Sequence, residues 1–251
     1  MPRIISVRLA AACALAVALS LTIVAGAFAA GSADLRVVGS GGKILAEKTV
    51  KTGPVSVKTS PKATCFGTGT GGSGDSVTLK PNTALGLLAR GAKSQPTLNP
   101  LLISDSFDFG LALCGVGGNI AKGSSSWYLK VNHKGSMLSA DTTKIKAGDE
   151  VLFALAESDP KTFAYPDELS LVAPPKATAG KAFTVTAYTY DEKGKRKPAA
   201  GVTVSGAAGP TAANGKTTVT VTKPRLLTAT KGDLIPDRAA ICIGPVCPAG
   251  S

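Results

Sequence analysis

Aromatic side chains are scarce in this 251-residue chain, at 5% of residues with a single tryptophan. Hydrophobic cores must then be built from Val, Leu, Ile and Ala, and small units with such cores bury little surface per residue. Histidine is scarcer still. His133 is the only one, which removes multi-histidine metal sites and leaves one candidate for imidazole chemistry. Charged residues reach only 18% against 44% hydrophobic, a balance that excludes an unfolded polar chain and indicates a folded globular one. Past the first thirty residues no apolar run reaches membrane-spanning length, so no membrane association is expected once that segment is removed. No recognised nucleic-acid motif and no interleaving of aromatic with basic residues occurs, so nucleic acid is not an expected partner.

What is present begins with an export signal. Arg3 and Arg8 precede an uncharged apolar stretch from Leu9 to Phe28, and Ala27 and Ala29 form an A-x-A cleavage pattern. Residues 1–30 therefore read as a secretory signal peptide, and the expected location is extracellular, secreted or held at the cell wall. A run of this length also suits an uncleaved anchor; small residues ahead of a polar, Gly-rich segment favour cleavage. Cys13 lies near the beginning of the run rather than just after it, which rejects a lipoprotein signal. Cleavage removes Arg3 and Arg8 and no acid, so the formal charge of +12 falls to +10. The lysines are spread along the chain, and the tightest group is Lys193, Lys195, Arg196 and Lys197. A solubilising surface is the plainer reading of that charge and an anionic cell-envelope polymer the sharper one.

Four cysteines remain after export: Cys65, Cys114, Cys242 and Cys247. An even count in an oxidising compartment predicts two disulfides, with three connectivities open. Sequence locality favours Cys65–Cys114 and Cys242–Cys247. Loop-closure entropy assigns the longer bridge about 4 kcal/mol and the shorter about 2 kcal/mol. The competing metal reading is weak, because Cys-x4-Cys with one histidine in the chain is poor zinc spacing.

The chain divides into residues 34–157, a Pro-containing linker at 158–167, and residues 168–251. In the first part, Leu35 to Val38 and Lys43 to Val50 read as a hairpin across glycines, and Gly67 to Gly74 as a loop. One helix follows Thr83, with Leu85, Leu88, Ala89 and Ala92 forming an apolar stripe and Gly91 marking its stop. Trp127, Leu129 and Val131 alternate with Tyr128 and Lys130, and Val151, Phe153 and Leu155 alternate likewise. Such alternation builds a sheet with one buried face. One helix on a mixed sheet gives an α+β arrangement. The second part shows only short Val/Thr-rich strands, at Phe183 to Tyr188, Val202 to Val204, Thr218 to Thr222 and Leu226 to Thr230. That pattern predicts an all-β sandwich.

The run Trp127-Tyr128-Leu129-Lys130-Val131-Asn132, followed by Lys146-Ala147-Gly148-Asp149-Glu150-Val151-Leu152, resembles the transcobalamin-like C-terminal domain family. That family is common in secreted bacterial proteins, mostly of unknown function. The resemblance covers about residues 34–157 and implies a β-grasp-like sheet crossed by one helix. Thr211 to Thr220, with its Asn214-Gly215 turn, resembles a bacterial immunoglobulin-like module. The expected fold is therefore an α+β β-grasp-like domain followed by an all-β immunoglobulin-like sandwich with a cysteine-containing tail. In cobalamin carriers a domain of the first type covers a corrinoid held mainly by a separate helical domain. No such helical domain is read here, and no ligand-contacting residue is carried over.

No catalytic constellation emerges. Gly67-x-Gly69-x-x-Gly72 matches a dinucleotide fingerprint by letter but lacks the helix that must follow it. Asp108-Phe109-Gly110 spells a kinase motif without its partner motifs. His133 sits in a turn with Ser136 and Asp141 nearby in sequence, and an exposed turn residue is the plainer reading than a triad. Neither Asp105 with Asp108 nor Asp149 with Glu150 resembles an acid–base pair facing a cleft. Trp127 and Tyr128 must point to opposite faces. One fills the core, and the other is a candidate ligand contact or an interdomain packing residue. No cofactor or metal is expected. The sequence therefore favours a non-catalytic binding or cell-surface protein, whose partner is an extracellular ligand or cell-envelope polymer. The alternatives are a corrinoid-type small-molecule binder and, more remotely, a secreted hydrolase.

Overall fold

The computed structural model describes residues 31–249. The expected signal peptide, with Cys13, lies outside the described residues. No helix among the described residues is long and apolar enough to cross a membrane.

The first half is organised by the strand Ser32–Val38. It pairs antiparallel with Ile44–Lys51 on one side and parallel with Glu150–Glu157 on the other. Glu150–Glu157 pairs in turn with Ser125–Val131, which ends in a short hairpin to Lys134–Gly135. Alternate residues therefore project from opposite faces. Ala33, Leu35, Val37, Leu129, Val151 and Phe153 all face one core. The helix Ala84–Ser94 covers that core with Leu85, Leu88, Ala89 and Ala92, each at most 5% exposed. Thr83 caps it, its hydroxyl accepting from the Gly86 amide at 3.3 Å.

Gly91 does not stop the helix, which continues one turn further to Ser94. Its role is close packing: a Cβ at this position would lie 2.7 Å from Leu35 Cδ2. Helix and sheet approach there to a distance only glycine allows.

The second half forms two four-stranded sheets around a core that includes Leu169, Val185, Val202, Leu227 and Ile241. The cysteine-containing tail is more than a tail. Asp237–Ile243 is a seven-residue strand lying between Lys176–Ala177 and Arg225–Thr230.

The expected α+β domain followed by a separate immunoglobulin-like sandwich is not what this chain forms. Eighteen strands and one α-helix of 11 residues make the described chain predominantly β. The single helix covers one face of one sheet. The other face of that sheet is not solvated but buried against the second half, where Val38, Tyr128, Leu152, Ala154 and Ile235 share a small core. The helical stripe was the strongest periodic signal in the sequence, but periodicity carries no information about what covers a sheet's second face.

The stretch 158–167 is ordered. Asp159 accepts from the amides of Lys161 and Thr162 at 3.0 and 2.7 Å. Tyr165 stacks on Tyr128 with ring centroids 4.3 Å apart.

Both disulfides are formed, Cys65–Cys114 and Cys242–Cys247, with Cα separations of 5.3 and 4.1 Å. The first ties the glycine-rich loop to the strand Ala112–Val116.

Candidate functional site

Strand register sets Glu47, Arg36, Leu152 and Lys130 in one row on the sheet face away from the helix. Opposite this row the second half presents Glu168 and Asp237, the first residues of two strands. Arg36 pairs with both: one guanidinium nitrogen meets Glu168 and the other lies 2.5 Å from Asp237. The latter nitrogen also donates to the Leu169 carbonyl at 3.0 Å. Lys130, 1% exposed, lies 3.1 Å from Glu168, which is 2% exposed. Its ammonium donates to the carbonyls of Tyr190 and Asp191 at 3.2 and 3.0 Å, which fixes it across the seam. Burying charges in this way is tolerable only when each is paired and hydrogen-bonded.

His133 completes the cluster. It sits at the hairpin tip with Asn132, both at positive φ (67° and 49°), a conformation that two-residue hairpins demand. Asn132 locks the tip by accepting from the Glu150 amide at 2.9 Å. The His133 ring stacks on Tyr190 with centroids 3.7 Å apart. Its Nδ1 faces Glu168 and its Nε2 faces Glu150, each at 3.1 Å. The turn is as read from sequence, but the side chain is only 19% exposed because the hairpin reaches across to the second half.

The electrostatics follow from burial and pairing. Burial opposes charge on His133, but hydrogen bonds to Glu150 and Glu168 outweigh it and raise its pKa to about 9. Burial also works against ionised Glu168, yet His133, Arg36 and Lys130 pull its pKa down to about 2. Glu47 is pushed up to about 8 by burial and by Asp237, with Arg36 and Arg238 opposing. Arg238 Nε stands 3.0 Å from Glu47 Oε2 without hydrogen-bond alignment, a weak counterweight.

A cleft of about 430 Å³ opens beside this cluster, lined in part by Arg36, Glu47, His133, Glu150, Glu168 and Asp237. With carboxylates on both ring nitrogens, His133 is an imidazolium near neutral pH and cannot serve as a base there. Ser136 bonds Thr143 at 2.8 Å and not His133. Asp141 lies under Gly110, within 2.8 Å of where a Cβ would be. The three residues considered as a triad are thus not brought together. Asp149 caps its turn, accepting from the Lys146 amide at 2.7 Å, while Glu150 serves His133.

A second feature lies on the loops beside the Cys65–Cys114 bridge. Phe66 meets Phe107 edge-on at 5.2 Å, and Phe107 stacks on Phe109 at 4.8 Å. Phe66 and Phe109 remain 58% and 61% exposed. This shelf is held from below. Asp105 accepts from the amide and hydroxyl of Ser73 at 2.7 and 2.6 Å, which lowers its pKa. Gly72 packs against the adjoining strand so closely that a Cβ would lie 2.9 Å from the Ile103 carbonyl oxygen. The glycine run thus serves close backbone approach. Beside the shelf, Gly110 touches Ser139 in the loop that exposes Met137 and Leu138 at 94% and 65%.

Of the two aromatic candidates, Trp127 packs against the first core. Tyr128, 6% exposed, lies in the seam. Neither belongs to the shelf. Sequence reasoning missed the shelf and the buried Lys130–Glu168 pair. Three of the chain's seven phenylalanines fall at 66, 107 and 109, and the favoured Cys65–Cys114 bridge would have brought those loops together.

Comparison with known protein families, with curated proteins and with solved structures finds no match. The resemblances drawn from the Trp127 and Thr211 runs therefore gain no support beyond the residues that suggested them.

Proposed function

We propose that the chain is an exported, non-catalytic binding protein of the cell exterior, and that the phenylalanine shelf is the surface that meets its ligand. Two disulfides suit an oxidising compartment. The titratable groups of the seam cleft are spent on one another, which suits adhesion of the two halves better than turnover. The observation that carries the reading is the exposure of Phe66 and Phe109 on stapled, hydrogen-bonded loops. Large apolar side chains held out to solvent mark interaction surfaces. Rigid aromatic anchors bind with little ordering cost. The ligand class that fits is a cell-envelope component offering an apolar face.

The test replaces Phe66→Ser and Phe109→Ser together, leaving Phe107, and measures retention of the protein on isolated cell envelopes. At least a tenfold loss is expected, with unchanged Tm because both rings are mostly solvated. Undiminished retention would overturn the assignment of the shelf.

A further inference from the structure

We infer that a concavity of about 320 Å³ between the edge strand Ile44–Lys51 and the end of the helix is a binding site for a linear polyanion. Lys48, Lys51, Arg90 and Lys93 line it together with Ser94. These cations come from segments some forty residues apart, so their clustering is a product of the fold and is not visible as a charge run.

The site is uniformly positive. No carboxylate lines it, and the helix carries no acid along its length. Glu47, adjacent to Lys48, projects from the other face of the sheet, where Arg36 and Arg238 occupy it. None of the four cations enters an ion pair among the described residues. The Lys48 ammonium donates to the Ser94 hydroxyl at 3.3 Å, and the Arg90 guanidinium lies near Gly53. Like charges gathered without counter-charges destabilise a fold.

Two plainer accounts cover only parts of the cluster. Lysines on an edge strand discourage edge-to-edge pairing, which would explain Lys48 and Lys51. A cation near a helix C-terminus meets the helix dipole favourably, which would explain Lys93. Neither accounts for Arg90, nor for four cations lining one concavity around the sheet edge, where strand alternation puts Lys48 on the helix side and Lys51 on the other. A small anion would meet only one or two of them, whereas a chain of repeating charges can run from strand to helix. The site shares no residue with the phenylalanine shelf, so either assignment can fail without the other.

The experiment titrates soluble poly(glycerol phosphate) and polyglutamate against the mature protein by fluorescence anisotropy. The first polymer carries phosphate and the second carboxylate. Binding of either is expected, weakening on the order of fifty-fold between about 50 and about 200 mM salt if four charges are neutralised. K48Q/K51Q/R90Q/K93Q should lose at least tenfold in affinity. The charge-matched K193Q/K195Q/R196Q/K197Q should stay within about twofold. Three results would each overturn the site: equal loss in both variants, binding to anionic vesicles but to neither polymer, or self-association of the first variant with polymer affinity retained. The last would leave the lysines as edge guards.

Discussion

Arg36 is ion-paired with Glu168, the opening residue of the second half, across a sequence separation of 132. The pair is flanked by Asp237, Lys130 and His133, so the two halves meet through charges that neither could bury alone. Replacement of Arg36→Met leaves Glu168 and Asp237 buried with fewer partners. Removing one member of such a cluster costs about 3–5 kcal/mol. The expected calorimetric result is one unfolding transition in the native protein and two in the variant, as each core melts separately. A single transition displaced by less than about 1 kcal/mol would show that the seam contributes little.

The same cluster sets a dependence on pH. Glu168, held at about 2 against an ordinary 4.5, contributes stability that is present above about 4.5 and lost as the pH falls towards 2. Glu47, held at about 8 against 4.5, acts oppositely: its contribution is full below about 4.5 and declines up to about 8. His133, at about 9 against 6.5, contributes fully below about 6.5 and ceases to contribute as the pH rises through 9. Stability should therefore peak near about pH 5 and fall on both sides. Glu47→Gln mimics the protonated acid, and its urea midpoint should decline less than that of the native protein between about pH 5 and 8. Parallel curves would remove Glu47 from the account.

Much of the strand layout was legible. Alternation at Trp127, Leu129 and Val131 and at Val151 and Phe153 marks strands whose inward residues face the core, while Leu155 keeps the period but lies half-buried outside that core. The stripe at Leu85, Leu88, Ala89 and Ala92 marks the one helix. What stayed hidden was the second face of that sheet. Tyr128 and Lys130 occupy positions that alternation assigns to solvent, yet they are 6% and 1% exposed. A lysine there reads as surface unless its partner is known, and Glu168 lies beyond a Pro-containing stretch that reads as a linker. The Asp237–Ile243 strand escaped for a similar reason, since the alanines and cysteine in it give no alternation. The phenylalanine shelf and the lysine–arginine concavity each gather residues from separate segments, which no local window can show.

The two disulfides should differ in their effect. Cys65–Cys114 spans 49 positions and Cys242–Cys247 only 5. Loop entropy then gives about 4 kcal/mol for the first and about 2 kcal/mol for the second. Replacing Cys65 and Cys114 with serine should lower the denaturant midpoint more, and should also speed proteolytic cleavage within residues 66–74. The Cys242/Cys247 variant should leave that cleavage rate unchanged. Equal nicking in both variants would show that the bridge does not hold the shelf loop.

Tyr128 provides the sharpest separation of packing from ligand contact. Its ring stacks on Tyr165, whose hydroxyl meets Ser126, but its own hydroxyl is buried with no hydrogen-bond partner among the described residues. Burial, with Glu192 and Glu168 adding to it, raises that phenol's pKa above the ordinary tyrosine value. An unsatisfied buried hydroxyl costs about 1–3 kcal/mol. Tyr128→Phe keeps the stack and removes the cost, so it should leave Tm unchanged or raise it. Tyr128→Ala opens a cavity and should cost about 3–5 kcal/mol. If Tyr128 serves only the seam, the Phe variant retains full binding to cell envelopes. A Phe variant that folds as well as the native protein yet loses envelope retention would move the contact surface from the phenylalanine shelf to the seam.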